Sequence, residues 1–359
     1  MRIALLAHAR QPIAPPFRGG MEAHSWHLAQ GLRASGHEVV LFASGDSDPR
    51  FTLDPVLAEH QEKTFPGQEH TGNPALIAAL DAGYGAALDR IAAGGFDVLH
   101  NNSLSRLPLA PERTAKVPTV TSLHVPPYDA LRWFVHNSLS PAHRITVTSG
   151  GQLHAWFPDK EVEGVSVLHN GIDPVQWPYR PEGDGSAVWC GRITPYKGTH
   201  HAIRAAQRAG IGLTLFGSTE DTAYWESTVK PLLGGAIRYG GLLDGPALAA
   251  EVGRASVFLF TPCWDEPFGL VAIEAMACGL PVASFDRGAA REVIGEAGAF
   301  APPDDQATLA ETIGVALAIP RRTAHDRVRH YFTHDVWLDG CERLYAEVIA
   351  DHRAVTAMS

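Results

Sequence analysis

Two glutamates eight positions apart, Glu266 and Glu274, are the residues of this sequence whose type and spacing point most directly to chemistry. Pro267 and Gly269 favour a tight turn, and the apolar run that begins at Leu270 favours a helix. A loop that leads into a helix leaves backbone N–H groups without partners, and these groups bind phosphate together with the helix dipole. Carboxylates beside them accept hydrogen bonds from sugar and ribose hydroxyls. The segment therefore predicts a site for a ligand that carries both phosphate and hydroxyl groups.

A second segment supplies positive charge after a predicted strand. Its sequence is Cys190-Gly191-Arg192-Ile193-Thr194-Pro195-Tyr196-Lys197-Gly198. The guanidinium of Arg192 can hold phosphate oxygens in a fork, and the ammonium of Lys197 adds a point charge. A glycine-rich loop that leads from a strand into a helix with these two cations is what a diphosphate requires.

Three further positions follow predicted strands. Gly19 and Gly20 come after the first strand and permit close approach of the backbone to a ligand. His124 lies at the carboxyl end of another strand, which is the edge where open α/β sheets bind ligands. Gly217 follows a strand of the second half of the chain.

The elements that must position these residues are short apolar strands alternating with helices, which indicates parallel α/β sheets. Strands are predicted near 2–7, 38–43, 97–100, 118–123, 144–148, 165–168, 186–190, 211–216, 237–239, 256–260, 281–284 and 299–301. Helices are predicted near 21–35, 74–92, 197–209, 245–254, 270–278, 304–318 and 334–352. The polar stretch 46–72 is predicted to be a mobile loop.

The segment from Trp264 to Val282 resembles the Glu-x7-Glu signature of retaining glycosyltransferases, because Pro-Phe-Gly follows the first glutamate and Glu-Ala-Met-Ala-Cys-Gly-Leu-Pro-Val ends it. The closest resemblance is to short bacterial members of glycosyltransferase family 4, which have the GT-B fold. The Gly-Arg-x-x-x-x-Lys-Gly loop and the Gly-Gly loop resemble two further motifs of that family. The resemblance implies an α/β fold with two Rossmann-like domains facing a cleft.

The resemblance also implies roles for individual residues. It assigns His124, Arg192, Lys197 and Glu266 to catalysis. It assigns substrate binding to Gly19, Gly20, Gly191, Gly217, Arg238, Tyr239, Pro267, Phe268, Gly269, Leu270, Val271 and Glu274. Within this set, Glu266 would hold the donor sugar and Glu274 the ribose. The family needs neither a protein nucleophile nor a metal, so we expect no cofactor, with the nucleotide sugar as a co-substrate.

Two domains are expected from a length of 359 residues. We place the N-terminal, acceptor-side Rossmann-like domain at 1–172 and the C-terminal domain that binds the nucleotide sugar at 173–334. The join falls before a stretch with Pro181, Gly183 and Gly185, which is typical of a linker. In the family the last helix, about 335–359 here, returns to the first domain.

These observations predict a metal-independent, retaining hexosyltransferase that acts in polysaccharide, glycolipid or glycoconjugate biosynthesis. UDP-glucose is the first choice of donor, with GDP-mannose and UDP-N-acetylglucosamine as alternatives, and the acceptor is a hydroxyl of a saccharide or a lipid-linked molecule. A nucleotide-sugar 2-epimerase and a non-catalytic nucleotide-sugar binding protein remain alternative interpretations. The segment 128–139 is interpreted either as an acceptor contact or as core packing.

Composition excludes other classes. The net charge of −10 argues against nucleic acid as a partner, because nucleic-acid binders carry basic surfaces. No apolar run approaches the ~20 residues of a transmembrane helix, which predicts a cytoplasmic protein with at most a peripheral contact to the inner face of a membrane. The four cysteines lack Cys-x-x-Cys spacing and are expected to be free thiols. The pairs His24/His27 and His200/His201 lack a third metal ligand at a suitable spacing.

Overall fold

The computed structural model describes residues 1–67, 73–114, 116–158 and 162–358. These residues form two compact units. The first contains the described residues of 1–148, 153–168 and 338–359, and the second contains 149–152 and 169–337. Apart from the short stretch 149–152, the chain belongs to the second unit from His169 and to the first again from Leu338.

The strands of the described residues all pair in parallel where they form ladders. They are β1 (Arg2–Ala7), β2 (Glu38–Ser44), β3 (Thr52–Leu57), β4 (Val98–Asn102), β5 (Thr119–Leu123), β6 (His143–Val147), β7 (Val165–Val167), β8 (Ala187–Cys190), β9 (Leu213–Phe216), β10 (Ile237–Tyr239), β11 (Val257–Phe260), β12 (Val282–Phe285) and β13 (Gly298–Ala301).

The same strand order appears in both sheets. The first unit contains a seven-stranded sheet of order β3-β2-β1-β4-β5-β6-β7, and the second a six-stranded sheet of order β10-β9-β8-β11-β12-β13, counted over the described residues. In each sheet the direction of winding reverses beside the first strand, between β1 and β4 and between β8 and β11. Open α/β sheets bind ligands at the carboxyl ends of the strands that flank such a reversal.

Helices connect the strands. They are α1 (Gly20–Ala34), α2 (Gln61–Thr64), α3 (Pro74–Ala93), α4 (Pro111–Thr114), α5 (Asp129–Ser138), α6 (Gly150–Trp156), α7 (Thr199–Ala209), α8 (Thr222–Tyr224), α9 (Gly245–Arg254), α10 (Leu270–Ala277), α11 (Ala290–Ile294), α12 (Gln306–Leu317), α13 (Arg321–Tyr331) and α14 (His334–Met358). Within the described ranges, no helix is both long enough and apolar enough to span a bilayer.

Local sequence explains these elements. Residues 3–7 of β1 are apolar throughout and fully buried, as expected of a parallel strand that is covered on both faces. The side-chain oxygen of Asn73 accepts hydrogen bonds from the N–H groups of Ala75 and Leu76, which begins α3. Gly210 adopts a left-handed conformation after the last residue of α7, where a glycine relieves strain.

The prediction of a mobile loop over 46–72 is wrong for residues 52–57 and 61–64. Residues 52–57 form β3, which pairs in parallel with β2, and residues 61–64 form α2. Asp48 is buried and accepts a hydrogen bond from Trp26 Nε1 at 2.8 Å. The polar composition of this stretch masked an edge strand, which needs fewer apolar residues than a central one. Residues 68–72 lie outside the described residues.

The segment 128–139 contains a helix, α5, which the sequence-based list of helices omitted. Its side chains divide between the two interpretations, because Leu131 and Val135 are buried in the core of the first unit. Trp133, in contrast, is 64% exposed. The helix α13 was also missed, since its sequence is rich in charged residues and only Ala324 and Val328 are buried.

Candidate active site

The second unit brings its predicted site residues together at the carboxyl ends of β8 and β11, where the winding of its sheet reverses. The loop after β8, residues 191–198, carries Arg192 and Lys197. The loop after β11, residues 261–269, carries Glu266 and leads directly into α10. Segments that are distant in sequence therefore meet at the edge of the sheet where this topology binds ligands.

Hydrogen bonds to backbone carbonyl groups join these two loops. The hydroxyl of Thr261 lies 3.1 and 3.0 Å from the carbonyl oxygens of Lys197 and Gly198. The N–H of Cys263 donates to the carbonyl of Tyr196 at 2.8 Å. Gly198 has a φ of +66°, and a Cβ there would lie 2.0 Å from the carbonyl oxygen of Thr261. Only glycine therefore allows the loops to approach so closely.

Lys197 and Glu266 form an ion pair. The distance from Lys197 Nζ to Glu266 Oε2 is 2.5 Å, and Trp264 Nε1 donates to the same oxygen at 2.9 Å. The two charged side chains are 24% and 12% exposed, so water screens the pair less than it screens a surface pair. The ammonium also lies 5.6 Å from the centroid of the Trp264 ring. A phosphate that binds Lys197 must compete with Glu266 for this ammonium.

Arg192 differs from Lys197 because its charge is not neutralised. The side chain is exposed, and within the described part of the chain no hydrogen bond or ion pair holds its guanidinium. A guanidinium in this state offers a planar set of donors for two phosphate oxygens. The loop after β8 therefore presents a free cation next to a paired one.

The backbones of two adjacent strand ends touch at Gly191 and Gly217. A Cβ at Gly217, whose φ is +146°, would lie 1.7 Å from the carbonyl oxygen of Gly191. The hydroxyl of Tyr239 donates to the carbonyl of Gly217 at 2.8 Å, and Arg238 beside it is exposed. These four predicted positions are therefore neighbours at the carboxyl ends of β8, β9 and β10.

The N-terminus of α10 has no side-chain cap. Gly269 occupies the capping position with a φ of +92°, so the N–H groups of Leu270 and Val271 leave the helix end without a helical partner. The side chain of Phe268 is buried in the core of the second unit, and therefore Pro267 and Phe268 can offer a ligand mainly their backbone. This helix end has the geometry and the dipole for an anion.

Glu274 lies in the second turn of α10 and is partly buried. Among the described residues, no hydrogen bond or ion pair holds its carboxyl group. Burial raises its pKa to about 7, and its charge in turn helps raise the pKa of the Cys190 thiol. This carboxyl group is therefore divided between its neutral and ionised forms near neutral pH.

The first unit places its glycine pair at the start of α1. Gly19 caps the helix, and a Cβ there would lie 2.8 Å from Glu22 Oε2. Glu22 is buried and lies 3.4 Å from Nε2 of His8, the residue that follows β1. Gly20 is exposed at the first position of the helix. The loop after β1 therefore combines an open backbone with a buried carboxylate–imidazole contact.

His124 follows β5, is partly buried and belongs to a group of neighbouring imidazoles. Its Nε2–H donates to Asn102 Oδ1 at 3.2 Å, and His100 Nε2 lies 3.2 Å from the same oxygen. The ring centroids of His124 and His24 are 4.1 Å apart. Burial, together with the neighbouring imidazoles of His100 and His8, lowers the pKa of His124 to about 3. His124 is therefore neutral at physiological pH.

Sequence reasoning missed several neighbours of these residues. In the first unit it did not identify His8, Glu22 and His100, and in the second it gave Trp264 no role. His8 directly follows β1 and His100 lies in β4, the two strands that flank the reversal of winding. The strand-end argument that identified His124 would also have found His8. No signal in the sequence indicates that Trp264 donates to Glu266.

The two parallel sheets have the GT-B fold of glycosyltransferases, and sequence comparison identifies the family. Residues 178–330 match Glycosyl transferases group 1, and residues 18–176 match Glycosyltransferase Family 4. The two matches cover most of the chain, which belongs to glycosyltransferase family 4 and is a glycosyltransferase.

Individual relatives span nearly the whole chain. Glycogen synthase of Mycobacterium tuberculosis is 27% identical over 366 residues, covering 89% of this chain and 87% of that protein. The phosphatidyl-myo-inositol mannosyltransferase of Mycolicibacterium smegmatis is 28% identical over 331 residues, covering 85% of this chain and 82% of that protein. The crystal structure of Anabaena HepE in complex with UDP-glucose has the same fold, with a TM-score of 0.69, 17% identity and coverage of 98% and 99% of the two chains.

Proposed function

We propose that this glycosyltransferase is retaining and transfers a glucosyl group from UDP-glucose to a hydroxyl acceptor. The observation that carries the proposal is the arrangement of Arg192, the Lys197–Glu266 pair and the uncapped start of α10 around one sheet edge. A diphosphate matches the cations and N–H groups, and a sugar matches the carboxylates. The structure of HepE with UDP-glucose supports the choice of donor.

The cations would act on the leaving group. As the bond from the anomeric carbon to the diphosphate breaks, negative charge develops on the diphosphate. Arg192, Lys197 and the N–H groups of Leu270 and Val271 would stabilise that charge in the transition state more than in the ground state. These groups supply the stabilisation that a divalent metal provides in other phosphate sites, so we propose catalysis without a metal on the diphosphate.

The carboxyl groups would bind hydroxyls. Once a phosphate draws Lys197 away, Glu266 is free to accept hydrogen bonds from the sugar. Glu274 would accept from the ribose, and binding would favour its ionised form because two hydroxyl donors stabilise the carboxylate. We assign Gly191, Gly217, Arg238 and Tyr239 to the nucleoside, through their backbone groups.

The first unit would contribute to the sugar and the acceptor. His124 is neutral, so it can exchange hydrogen bonds with a hydroxyl through Nδ1 but cannot serve as a cation. Gly19 and Gly20 would allow the backbone to approach the donor. We keep the division proposed from the sequence, with acceptor recognition before residue 173 and most of donor recognition after it.

Retention would follow from attack on the face of the sugar that the diphosphate leaves. The acceptor oxygen forms a bond to the anomeric carbon, the bond to the diphosphate oxygen breaks, and a donor phosphate oxygen takes the acceptor's proton. This step balances without a protein nucleophile. Exclusion of water would limit the competing hydrolysis of the donor.

GDP-mannose is the second candidate donor, because a phosphatidyl-myo-inositol mannosyltransferase matches most of the chain. The two relatives also suggest two kinds of acceptor, a polysaccharide and a lipid-linked polyol. Glucose and mannose are both uncharged hexoses that differ in the configuration of the hydroxyl at C2. Recognition of that hydroxyl and of the base would therefore decide between UDP-glucose and GDP-mannose.

Thermal shift against UDP, GDP and a panel of their sugars, without added divalent metal, tests the donor. Binding to the folded state raises the melting temperature by mass action, so we expect the largest shift with UDP-glucose. The same donor is then incubated with saccharide and lipid acceptors, and the anomeric configuration of the product is read by NMR. A shift only with GDP-mannose would replace the proposed donor, and an inverted product would overturn the retaining mechanism.

A further inference from the structure

Three side chains that commonly bind transition metals meet in the second unit. His201 belongs to α7, Cys263 to the loop after β11, and Asp304 to the connection between β13 and α12. Their donor atoms all lie within 4.8 Å of one another. The distance from His201 Nε2 to Asp304 Oδ1 is 3.7 Å. The sequence gave no warning of this group, because its members are separated by 62 and 41 positions.

The geometry is close to that of a zinc site. Ligands of a tetrahedral zinc ion lie roughly 3.3–3.6 Å from one another, given the usual Zn–N and Zn–S bond lengths. The 3.7 Å separation of His201 Nε2 and Asp304 Oδ1 is already near this range. Asp304 is exposed, so its carboxylate can shift the small remaining distance at little cost.

The donor types select the metal. Nitrogen, sulfur and oxygen donors in one set suit zinc, whereas magnesium and calcium prefer oxygen donors alone. Three protein ligands leave the fourth tetrahedral position for water, and the exposure of Asp304 gives an ion a route from solvent.

Neighbouring groups support each ligand. Nδ1 of His201 lies 2.8 Å from the side-chain amide of Gln306, whose oxygen accepts the Nδ1–H if the amide is turned, leaving Nε2 free for a metal. Arg287 donates to Asp304 Oδ2 at 3.1 Å, on the oxygen that does not face His201. The backbone of Cys263 is fixed by the hydrogen bond from its N–H to Tyr196.

Simpler explanations account for only part of this arrangement. An ion pair between His201 and Asp304 does not explain the thiol beside them. A reactive cysteine is also a poor explanation, because burial raises the pKa of Cys263 to about 11 and reactivity requires a thiolate. A metal would use all three groups together.

We infer that His201, Cys263 and Asp304 form a zinc-binding site, with water as the fourth ligand. The inference does not depend on the identity of the sugar donor. Cys263 is next to Trp264 in the loop that carries Glu266, and His201 lies on the helix that follows Lys197. Bound zinc would therefore brace the two loops that hold the Lys197–Glu266 pair, without contacting the diphosphate.

Metal titration of the full chain, freed of metal by dialysis, tests the site. Zinc is titrated in competition with a chromophoric chelator, and cobalt is titrated while the absorption spectrum is recorded. We expect a single zinc ion per chain and, with cobalt, a thiolate-to-metal charge-transfer band together with the intense visible bands of a tetrahedral site. Zinc should also raise the melting temperature.

Single substitutions assign the ligands. Cys263→Ser should abolish the cobalt charge-transfer band, and Asp304→Asn should weaken zinc binding by roughly 100-fold, since loss of a direct ligand costs at least as much as loss of an outer-shell partner. Asp304→Asn is a surface change that leaves folding intact. His330→Gln and Asp326→Asn, which are exposed in α13, serve as matched controls and should bind zinc as the parent does.

Two results would overturn the inference. One is a cobalt spectrum without a charge-transfer band in the parent protein, which would show that the thiol is not a ligand. The other is a zinc affinity of Asp304→Asn that does not fall below that of the control His330→Gln, whether both variants bind zinc as the parent does or both lose the same affinity. Either pattern would assign any bound zinc to the general surface.

Discussion

The two units of this chain share one topology but differ in the charge of the groups at the reversal of their sheets. At the ends of β8 and β11 the second unit presents Arg192 and the Lys197–Glu266 ion pair, and these side chains reach solvent. At the ends of β1, β4 and β5 the first unit presents buried imidazoles whose pKa values are lowered by burial. The same edge of the same fold therefore suits a diphosphate in one unit and a neutral polyol in the other.

This contrast follows from a few loop residues. Gly198 and Gly217 let loops in the second unit come close enough to share backbone hydrogen bonds, while the ionic side chains stay at the surface. In the first unit, His100 and His124 both donate to Asn102 within the protein, where desolvation excludes the charged form. Fold thus fixes where a ligand binds, and desolvation decides which charge that place can carry.

The largest effect is expected from removing the paired cation of the second unit. Lys197→Ala should lower kcat/KM by about 10²–10³-fold with the fold intact, because a charge that stabilises the leaving diphosphate is lost. Steady-state release of the nucleotide measures it. Lys230→Ala is the matched control, since Lys230 is also paired with a glutamate but on the surface. Near-parent turnover of Lys197→Ala would remove the diphosphate assignment.

Glu274 should impose a pH dependence on the free energy of unfolding. In the folded protein the pKa of Glu274 is about 7, above the ordinary value of 4.5. Between these two pH values the folded state therefore keeps a proton that the unfolded state has released. Stability is therefore unaffected below pH 4.5 and falls as the pH rises through 7. The free energy of unfolding of Glu274→Gln should exceed that of the parent by at most about 3 kcal/mol at pH 8, and by little at pH 4.5.

Urea unfolding at both pH values checks this expectation, with the exposed Glu226→Gln as the control. The same variant should bind the nucleotide more weakly, since an amide accepts fewer hydrogen bonds from ribose. Equal stability of Glu274→Gln and the parent at pH 8 would mean that the carboxyl group is not desolvated in solution.

The neutral histidine of the first unit should matter less than the cation. His124→Ala should lower kcat by roughly 10–100-fold, the value of one hydrogen bond to a substrate group, and leave nucleotide affinity unchanged. Because the pKa of His124 is about 3, its loss should not alter the pH profile between pH 5 and 8. His330→Ala controls for a general effect of removing a histidine. A titration that disappears in His124→Ala would show that the imidazole is charged in the working enzyme.

Much of this picture could be predicted from the sequence, and the limits have physical causes. Parallel strands that are buried on both faces leave apolar runs, so the central strands were located to within a few residues. The edge strand β3 has only Val56 buried, and its polar sequence looked like a loop. The loops of the second unit were found because glycines and charges are close in sequence there.

Groups assembled from distant segments could not be read in the same way. The contact between His8 and Glu22 spans a loop, and the set of His201, Cys263 and Asp304 draws on three elements. Sequence spacing had argued against His201 as a metal ligand because no third ligand lay nearby in the chain. Likewise, the spacing of Glu266 and Glu274 showed two similar carboxylates and gave no sign that burial raises the pKa of Glu274.

The smallest effect is expected from Trp264→Phe, which tests the orientation of Glu266 separately from the charge of Lys197. Trp264→Phe keeps an aromatic ring beside Lys197 but removes the Nε1–H that donates to Glu266 at 2.9 Å. Loss of that one hydrogen bond, with the ion pair still present, should cost about 1 kcal/mol and lower kcat/KM several-fold. Trp133→Phe, at an exposed position, is the control. If Trp264→Phe lost as much activity as Lys197→Ala, the orientation of Glu266 rather than the charge of Lys197 would govern the reaction. The difference between the two units would then lie in how rigidly each holds its hydroxyl-binding groups.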